Sequence, residues 1–164
     1  MIVAPPRLFH SARALLAGAL LLLAGCVSAV PPGEALTGRL PPPPPGTARL
    51  VFYRSLDYYG TQAMPAVYLN GAPAGITQNG AVLYRDVTPG RYDLSVSPTL
   101  PYPDQFKTVV VGAGDVDYVQ IDTLPYLACR EQNTQRCYGD TFILSVVDPA
   151  IGARSTYGLR LING

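Results

Sequence analysis

Four glycine-centred reversals cut the middle of this chain into segments suited to strands. They are Asn70-Gly71, Asn79-Gly80, Thr88-Pro89-Gly90 and Gly112-Ala113-Gly114-Asp115. An Asn-Gly pair tolerates positive φ at both central positions, as a tight hairpin with the correct twist requires. In the Pro-Gly turn proline presets φ and glycine accepts the left-handed position. Between these points lie short β-branched and aromatic stretches: Arg49 to Arg54, Ala66 to Leu69, Ala81 to Arg85, Arg91 to Ser97, Gln105 to Val111 and Val116 to Thr123. The last two are expected to form a hairpin around Gly112 to Asp115, and Thr141 to Val147 and Arg154 to Ile162 to complete the strands. No segment after residue 30 sustains a helical apolar period, so the expected fold is all-β, an antiparallel sandwich of about seven to nine strands.

The amino-terminal region has a different character. Arg7, His10 and Arg13 precede the 11-residue apolar run Ala14 to Ala24. That run is too short for a spanning helix, which needs about 20 apolar residues, but it suits a secretory signal. Leu23-Ala24-Gly25-Cys26 at its end resembles a bacterial lipobox. The resemblance implies cleavage before Cys26, diacylglycerol on its sulfur and a further acyl chain on the new amino group, which is effectively permanent anchoring. Residues 1–25 are then the lipoprotein signal peptide, residues 26–47 a lipidated cysteine with a disordered proline-rich tether, and residues 48–164 the sandwich domain. Pro31-Pro32 and the run Pro41 to Pro45 favour polyproline II at roughly 3.1 Å per residue, so the tether is expected to hold the domain up to about 60 Å from the bilayer.

Removing the signal narrows the chemistry. His10, the only histidine, leaves with it, and the loss of Arg7 and Arg13 reduces the 12 basic residues to 10 against 11 acidic ones. A near-neutral chain without a basic patch is not expected to bind nucleic acid. Without histidine, Ser-His-Asp and Cys-His catalysis lack their usual base, and neither a metal site nor a cofactor is implied. Cys129 and Cys137 are expected to pair in an oxidising envelope compartment, closing a nine-residue loop with an effect of roughly 2.5 kcal/mol. The densest carboxylate group is Asp115, Asp117 and Asp122. Strand alternation would place the first two on one face and the third on the other, as solvated charges rather than a calcium site.

Ala48-Arg49-Leu50-Val51-Phe52-Tyr53-Arg54 leads into a small-residue loop, then Val67-Tyr68-Leu69-Asn70-Gly71, then Gly80 to Tyr84, then Val87-Thr88-Pro89-Gly90-Arg91-Tyr92. Together these resemble a bacterial lipoprotein family whose β-sandwich domain has no assigned function, over about residues 48–123. The same order of strands and turns is similar to carboxypeptidase-regulatory-like and PEGA-like modules, and the resemblance implies an Ig-like or PEGA-like sandwich. By resemblance to lipoprotein sorting, Val27 after the cysteine implies the outer membrane, with the domain in the periplasm.

The chain has 11 tyrosines, no tryptophan and 4 phenylalanines. Tyrosine joins apolar area to a polar tip, which suits either a sheet surface or a binding surface. Tyr58, Tyr59 and Tyr102 fall in expected loops. Tyr126 and Tyr138 flank the cysteine loop, where Arg130 and Arg136 add polar groups, and these four are the expected partner surface. The functional expectation is a non-catalytic binding or scaffolding module, held to the membrane through Cys26 and partnered by an envelope protein. The alternatives are a glycan-binding or protein-inhibitor lipoprotein and, behind it, an enzyme of unrecognised type.

Overall fold

The computed structural model describes residues 33–57, 63–97, 103–123 and 141–162. Among them are nine strands: β1 (Ala48–Arg54), β2 (Ala66–Leu69), β3 (Ala72–Ile76), β4 (Ala81–Val87), β5 (Gly90–Val96), β6 (Phe106–Val111), β7 (Val116–Thr123), β8 (Phe142–Val147) and β9 (Arg160–Leu161). A 3₁₀ turn spans Pro103–Gln105 and one helix, α1, spans Pro149–Ser155. The strands form a five-stranded sheet in the order β8-β7-β1-β4-β9 and a four-stranded sheet in the order β3-β2-β5-β6. This is the expected all-β sandwich.

Its wiring departs from the expectation in three places. Gly112 to Asp115 does not close a hairpin, because β6 and β7 lie in different sheets. The turns before β4 and before β5 likewise cross between the sheets, and of the four reversals only Asn70-Gly71 joins paired neighbours. Asn70 (φ 49°) and Gly71 (φ 79°) both occupy the left-handed region, as that turn demands. Second, the larger sheet is mixed: β1 runs antiparallel to β4 but parallel to β7, and β4 runs parallel to β9. Third, the stretch expected as a final strand from Arg154 divides into the end of α1, a turn and the two-residue β9. Asp148 caps α1, its Oδ1 accepting from the Ala150 and Ile151 amides, with Pro149 opening the helix; Asp followed by Pro suits a helix start.

Every residue of β1 is buried, because the larger sheet is covered on both faces. Leu50 and Phe52 point into the main core with Leu83, Val119, Ile121 and Phe142, against Val67, Leu94, Val96 and Val109 of the smaller sheet. Val51 and Tyr53 point the other way, into a second cluster with Leu36, Val82, Tyr118, Leu159 and Leu161. Leu36 belongs to the segment expected to be a disordered tether, and it is only 1% exposed. The described part of that segment is docked on the domain: the Leu36 amide donates to the Leu159 carbonyl (2.8 Å), the Leu161 amide to the Glu34 carbonyl (2.9 Å) and the Gly33 amide to the Leu161 carbonyl (2.6 Å). Among the described residues packing is therefore already present at Gly33, ahead of Ala48, since backbone pairing with β9 and burial of Leu36 outweigh the extended bias of the neighbouring prolines.

A second clasp holds the end of this segment. Arg49 and Asp86 face each other across β1 and β4, with Nε to Oδ1 at 2.7 Å and Nη2 to Oδ2 at 2.8 Å. The guanidinium carbon lies 4.0 Å from the centre of the Tyr84 ring, and Nη1 donates to the Pro41 carbonyl. One fork thus satisfies a carboxylate, an aromatic face and the incoming chain, a combination that lysine cannot reproduce.

Candidate functional site

The sequence-expected site residues Leu23, Ala24, Gly25, Cys26, Tyr126, Cys129, Arg130, Arg136, Cys137 and Tyr138 lie outside the described residues, as do Tyr58, Tyr59 and Tyr102. The structure does place the described residues that flank their segments. Thr123 pairs with Phe142 at the end of the β7–β8 ladder. Beside them, Gln105 Nε2 donates to the Phe142 carbonyl (3.0 Å), and Arg54 stacks over the Phe142 ring (4.8 Å) while donating to the Ala63 carbonyl (2.8 Å). Three strand connections therefore depart from one end of the sandwich.

Among the described residues, the surface with the most recognition chemistry is the outer face of the smaller sheet. Leu94 and Val96 of β5 and Val109 and Val111 of β6 point into the core, so alternation turns Arg91, Asp93 and Ser95, with Phe106, Thr108 and Val110, outward. Tyr68 of β2 shares that face, because Val67 points in. Cross-strand register then sets these side chains in rungs. Tyr68 faces Ser95, which faces Phe106; Asp93 faces Thr108; and Arg91 faces Val110.

The polar rung is ordered by local bonds. The Asp93 amide donates to Asn70 Oδ1 (2.8 Å) and the Asn70 amide to the Asp93 carbonyl (2.8 Å), so the turn asparagine continues the ladder past the end of β2. Thr108 Oγ1 donates to Asp93 Oδ1 (2.7 Å). The Arg91–Asp93 pair is long, at 3.8 Å, with both side chains 69% exposed, and an exposed pair of this kind adds little stability. Its charges are displayed to solvent more than they serve the fold.

Two open clefts of about 360 and 340 Å³ share Asp93, Leu94 and Phe106. The first extends to Asn70, Gly71 and Ser95, the second to Lys107 and Thr108. Phe106 is 48% and Val110 73% exposed on this face, so large apolar groups stand beside a carboxylate, an amide and hydroxyls. That mixture can hold a partner by contact area and orient it by hydrogen bonds.

The carboxylates picked out by sequence are distributed otherwise than a site would need. Asp115 precedes β7, and its Oδ2 accepts from the Gly112 amide (2.7 Å), closing the inter-sheet turn. Asp122 accepts from Gln120 Nε2 (2.8 Å), which places it in a chain with the Tyr53 hydroxyl, itself donating to Gln120 Oε1 (2.9 Å). Asp117 lies on the strand between them, where burial, followed by the charge of Asp115, holds its carboxyl above the usual range. No group of three or more metal-ligating side chains occurs among the described residues.

The outer-face rungs were missed from sequence because their residue types are ordinary strand residues. Register alone brings Tyr68, Ser95 and Phe106 into line, and the only early signal was the Asn70-Gly71 turn that fixes the β2–β3 edge. A family model described as a protein of unknown function (DUF2846) matches residues 44–128. No curated protein and no solved structure matches the chain. The matched span carries Tyr68, Asn70, Asp93 and Phe106, whereas the docked segment before residue 44, and β8, α1 and β9, lie outside it.

Proposed function

The chain belongs to the DUF2846 family, and from that premise we propose that it is a lipid-anchored envelope lipoprotein whose sandwich is a non-catalytic module that binds a protein partner. The observation that carries the binding role is the outer face of β2, β5 and β6, where Phe106 and Val110 are exposed beside the Asn70–Asp93–Thr108 rung. Exposed aromatic and aliphatic groups beside fixed polar ones supply the apolar core and the polar rim of a transient interface. The lipobox-like Leu23-Ala24-Gly25-Cys26 supports anchoring, and Val27 favours the outer membrane with the domain in the periplasm. Cys129 and Cys137 pair in this reading, and Tyr126, Arg130, Arg136 and Tyr138 extend the partner surface.

A second reading is supported by the composition of the clefts. An aromatic ring beside an aspartate, an asparagine and hydroxyls is also suited to a sugar. One experiment separates the two. The lipidated protein is recovered from its own envelope in mild detergent, alongside a Phe106→Ala/Val110→Ala form, and both are also mixed with isolated cell-wall glycan. A stoichiometric protein that is lost from the double variant supports the protein-binding module. Retention on glycan that fails with Asp93→Ala supports the sugar reading. A partner retained equally by every variant refutes the assignment of this face.

A further inference from the structure

β6 ends the smaller sheet, and the register of its pairing with β5 shows which of its backbone groups are left over. On β5 the Asp93 amide and carbonyl both turn to Asn70, on the β2 side. Thr108, opposite Asp93, is therefore in a non-hydrogen-bonded pair with β5, and its own N–H and C=O point away from the sheet. Alternation gives Phe106 and Val110 the same direction. The Phe106 amide directly follows the 3₁₀ turn and is spent on it. That leaves the Phe106 carbonyl and both backbone groups of Thr108 and Val110 along the outer edge, and all three residues are exposed.

The other described edges each carry an obstacle to pairing. β3 contains Pro73, and a bulge interrupts its ladder with β2 between Val67 and Tyr68. β9 is two residues long, and the Gly33 to Leu36 segment already bonds to Leu161. On β8 the Phe142 carbonyl is taken by Gln105. β6, Phe-Lys-Thr-Val-Val-Val, has no proline, no glycine and one charge, and that charge, Lys107, is held by Asp104 at 2.8 Å. An open edge of this composition is a template for another strand.

We infer that the strand that completes this edge is β6 of a second copy of this chain, added antiparallel about a two-fold axis at Thr108. The side chains select both the occupant and the register. With Thr108 opposite its own counterpart, exposed Phe106 faces exposed Val110 of the second copy, and the axis repeats that contact on its other side. The two threonines exchange both backbone bonds, and each Val110 amide donates to the Phe106 carbonyl across the axis. Lys107 then faces Val109 of the second copy, so like charges are not opposed. Moving the axis to Lys107 would set the two lysines against each other. Moving it to Val109 would set Phe106 against Gly112, which has no side chain and whose amide is already given to Asp115. The two smaller sheets become one, a property that goes beyond the binding of a foreign partner and does not rest on it.

Sedimentation equilibrium of the purified full chain in density-matched mild detergent tests the pairing with no other protein present. The parent is expected to dimerise with a dissociation constant of roughly tens of micromolar, as suits a small interface. Phe106→Lys and Val110→Glu should each weaken the dimer by at least about tenfold, because a charge then faces an apolar group at both symmetric places. The double variant Phe106→Lys/Val110→Glu should regain it, since each new cation faces a new anion of the other copy. Within one chain the two positions are about 13 Å apart along the strand, too far to pair. Ile76→Glu, at an exposed position of the opposite edge strand β3, should dimerise as the parent does. A parent that stays monomeric at about 200 μM, well above that constant, overturns the pairing. So does a dimer that survives both single changes, is lost equally with Ile76→Glu, or is not restored by the double change. Because no envelope protein enters the measurement, each of these failures leaves partner binding untouched.

Discussion

The seat of α1 on the larger sheet can be tested at a single atom. Gly152, the middle residue of the helix, packs so closely on Tyr118 that a Cβ there would lie 2.2 Å from Cγ, 2.4 Å from Cβ and 2.7 Å from Cδ1 of that side chain. Ordinary carbon contacts begin near 3.5 Å, so Gly152→Ala must push the helix away by about 1.3 Å, and a gap of 0.5–1 Å already forfeits a quarter to a half of each dispersion contact. Tyr118 cannot yield by rotation alone, because its own Cβ is one of the blocking atoms. Overpacking of this kind costs about 3 kcal/mol at the upper end of its common range. In the opposite direction, alanine is about 1 kcal/mol better than glycine inside a helix. The net expectation is a loss of about 2 kcal/mol, or a fall in Tm of about 8 °C for a domain of this size. Urea unfolding followed by far-ultraviolet circular dichroism measures it. In a double-mutant cycle Tyr118→Ala should recover about 1 kcal/mol of coupling, since two of the three overlapping atoms are gone. A Gly152→Ala protein that is as stable as the parent, or gains the helix-propensity increment, refutes the seating of α1.

The other stability predictions concern charge. Asp86→Ala leaves Arg49 buried, with only the Pro41 carbonyl and the Tyr84 ring, and about 2–3 kcal/mol should be lost, below the full cost of a deeply buried pair because Asp86 keeps some solvent. The urea midpoint should fall at unchanged slope, and a shift below about 0.5 kcal/mol would mean that the fork is dispensable. Asp117 has a raised carboxyl pKa in the folded state. The native protein therefore binds more protons than the unfolded chain between the ordinary aspartate value and the raised one, and stability falls as pH rises through that window. Asp117→Asn should raise Tm at pH 7 and leave it unchanged at pH 3; an equal change at both would show that lost packing, not buried charge, governs the position.

What the sequence made legible follows from the range of each signal. Leu50-Val51-Phe52-Tyr53 reads as a strand because four consecutive large apolar residues suit burial on both faces. The same run says nothing about which strands flank it, and the parallel pairing with β7 had no local mark. Turn chemistry at Gly112 to Asp115 foretold a reversal, yet a reversal between sheets and one within a sheet use the same residues. Asp148-Pro149 is a helix-start signal, but the seven residues after Asp148, with a central glycine, show too little apolar period to mark a helix. Leu36 and Leu40 were hidden by the prolines around them, whose local preference is overridden only by contacts with residues 120 positions later. The outer face of β2, β5 and β6 was equally hidden, since Tyr68 and Phe106 become neighbours of one rung only through register. The expected site at Tyr126 to Tyr138 lies outside the described residues.

The doubly covered first strand also sets the order in which the chain can fold. Tyr53 meets Gln120, 67 positions later, and the closing contacts of Gly33 to Leu36 wait for β9, the last of the described strands. A polypeptide that emerges amino terminus first exposes β1 before its partners and completes its ladders last, and pairings this distant slow folding. Throughout that interval Leu50 to Tyr53 is an unpaired apolar strand, the kind of segment that joins to copies of itself. Arg49 and Arg54 bracket it at either side. In the finished protein one clasps Asp86 and the other covers Phe142; in the emerging chain the same two charges act as gatekeepers against aggregation, so a charge-removing change at either should lower the yield of soluble protein by more than its cost to equilibrium stability.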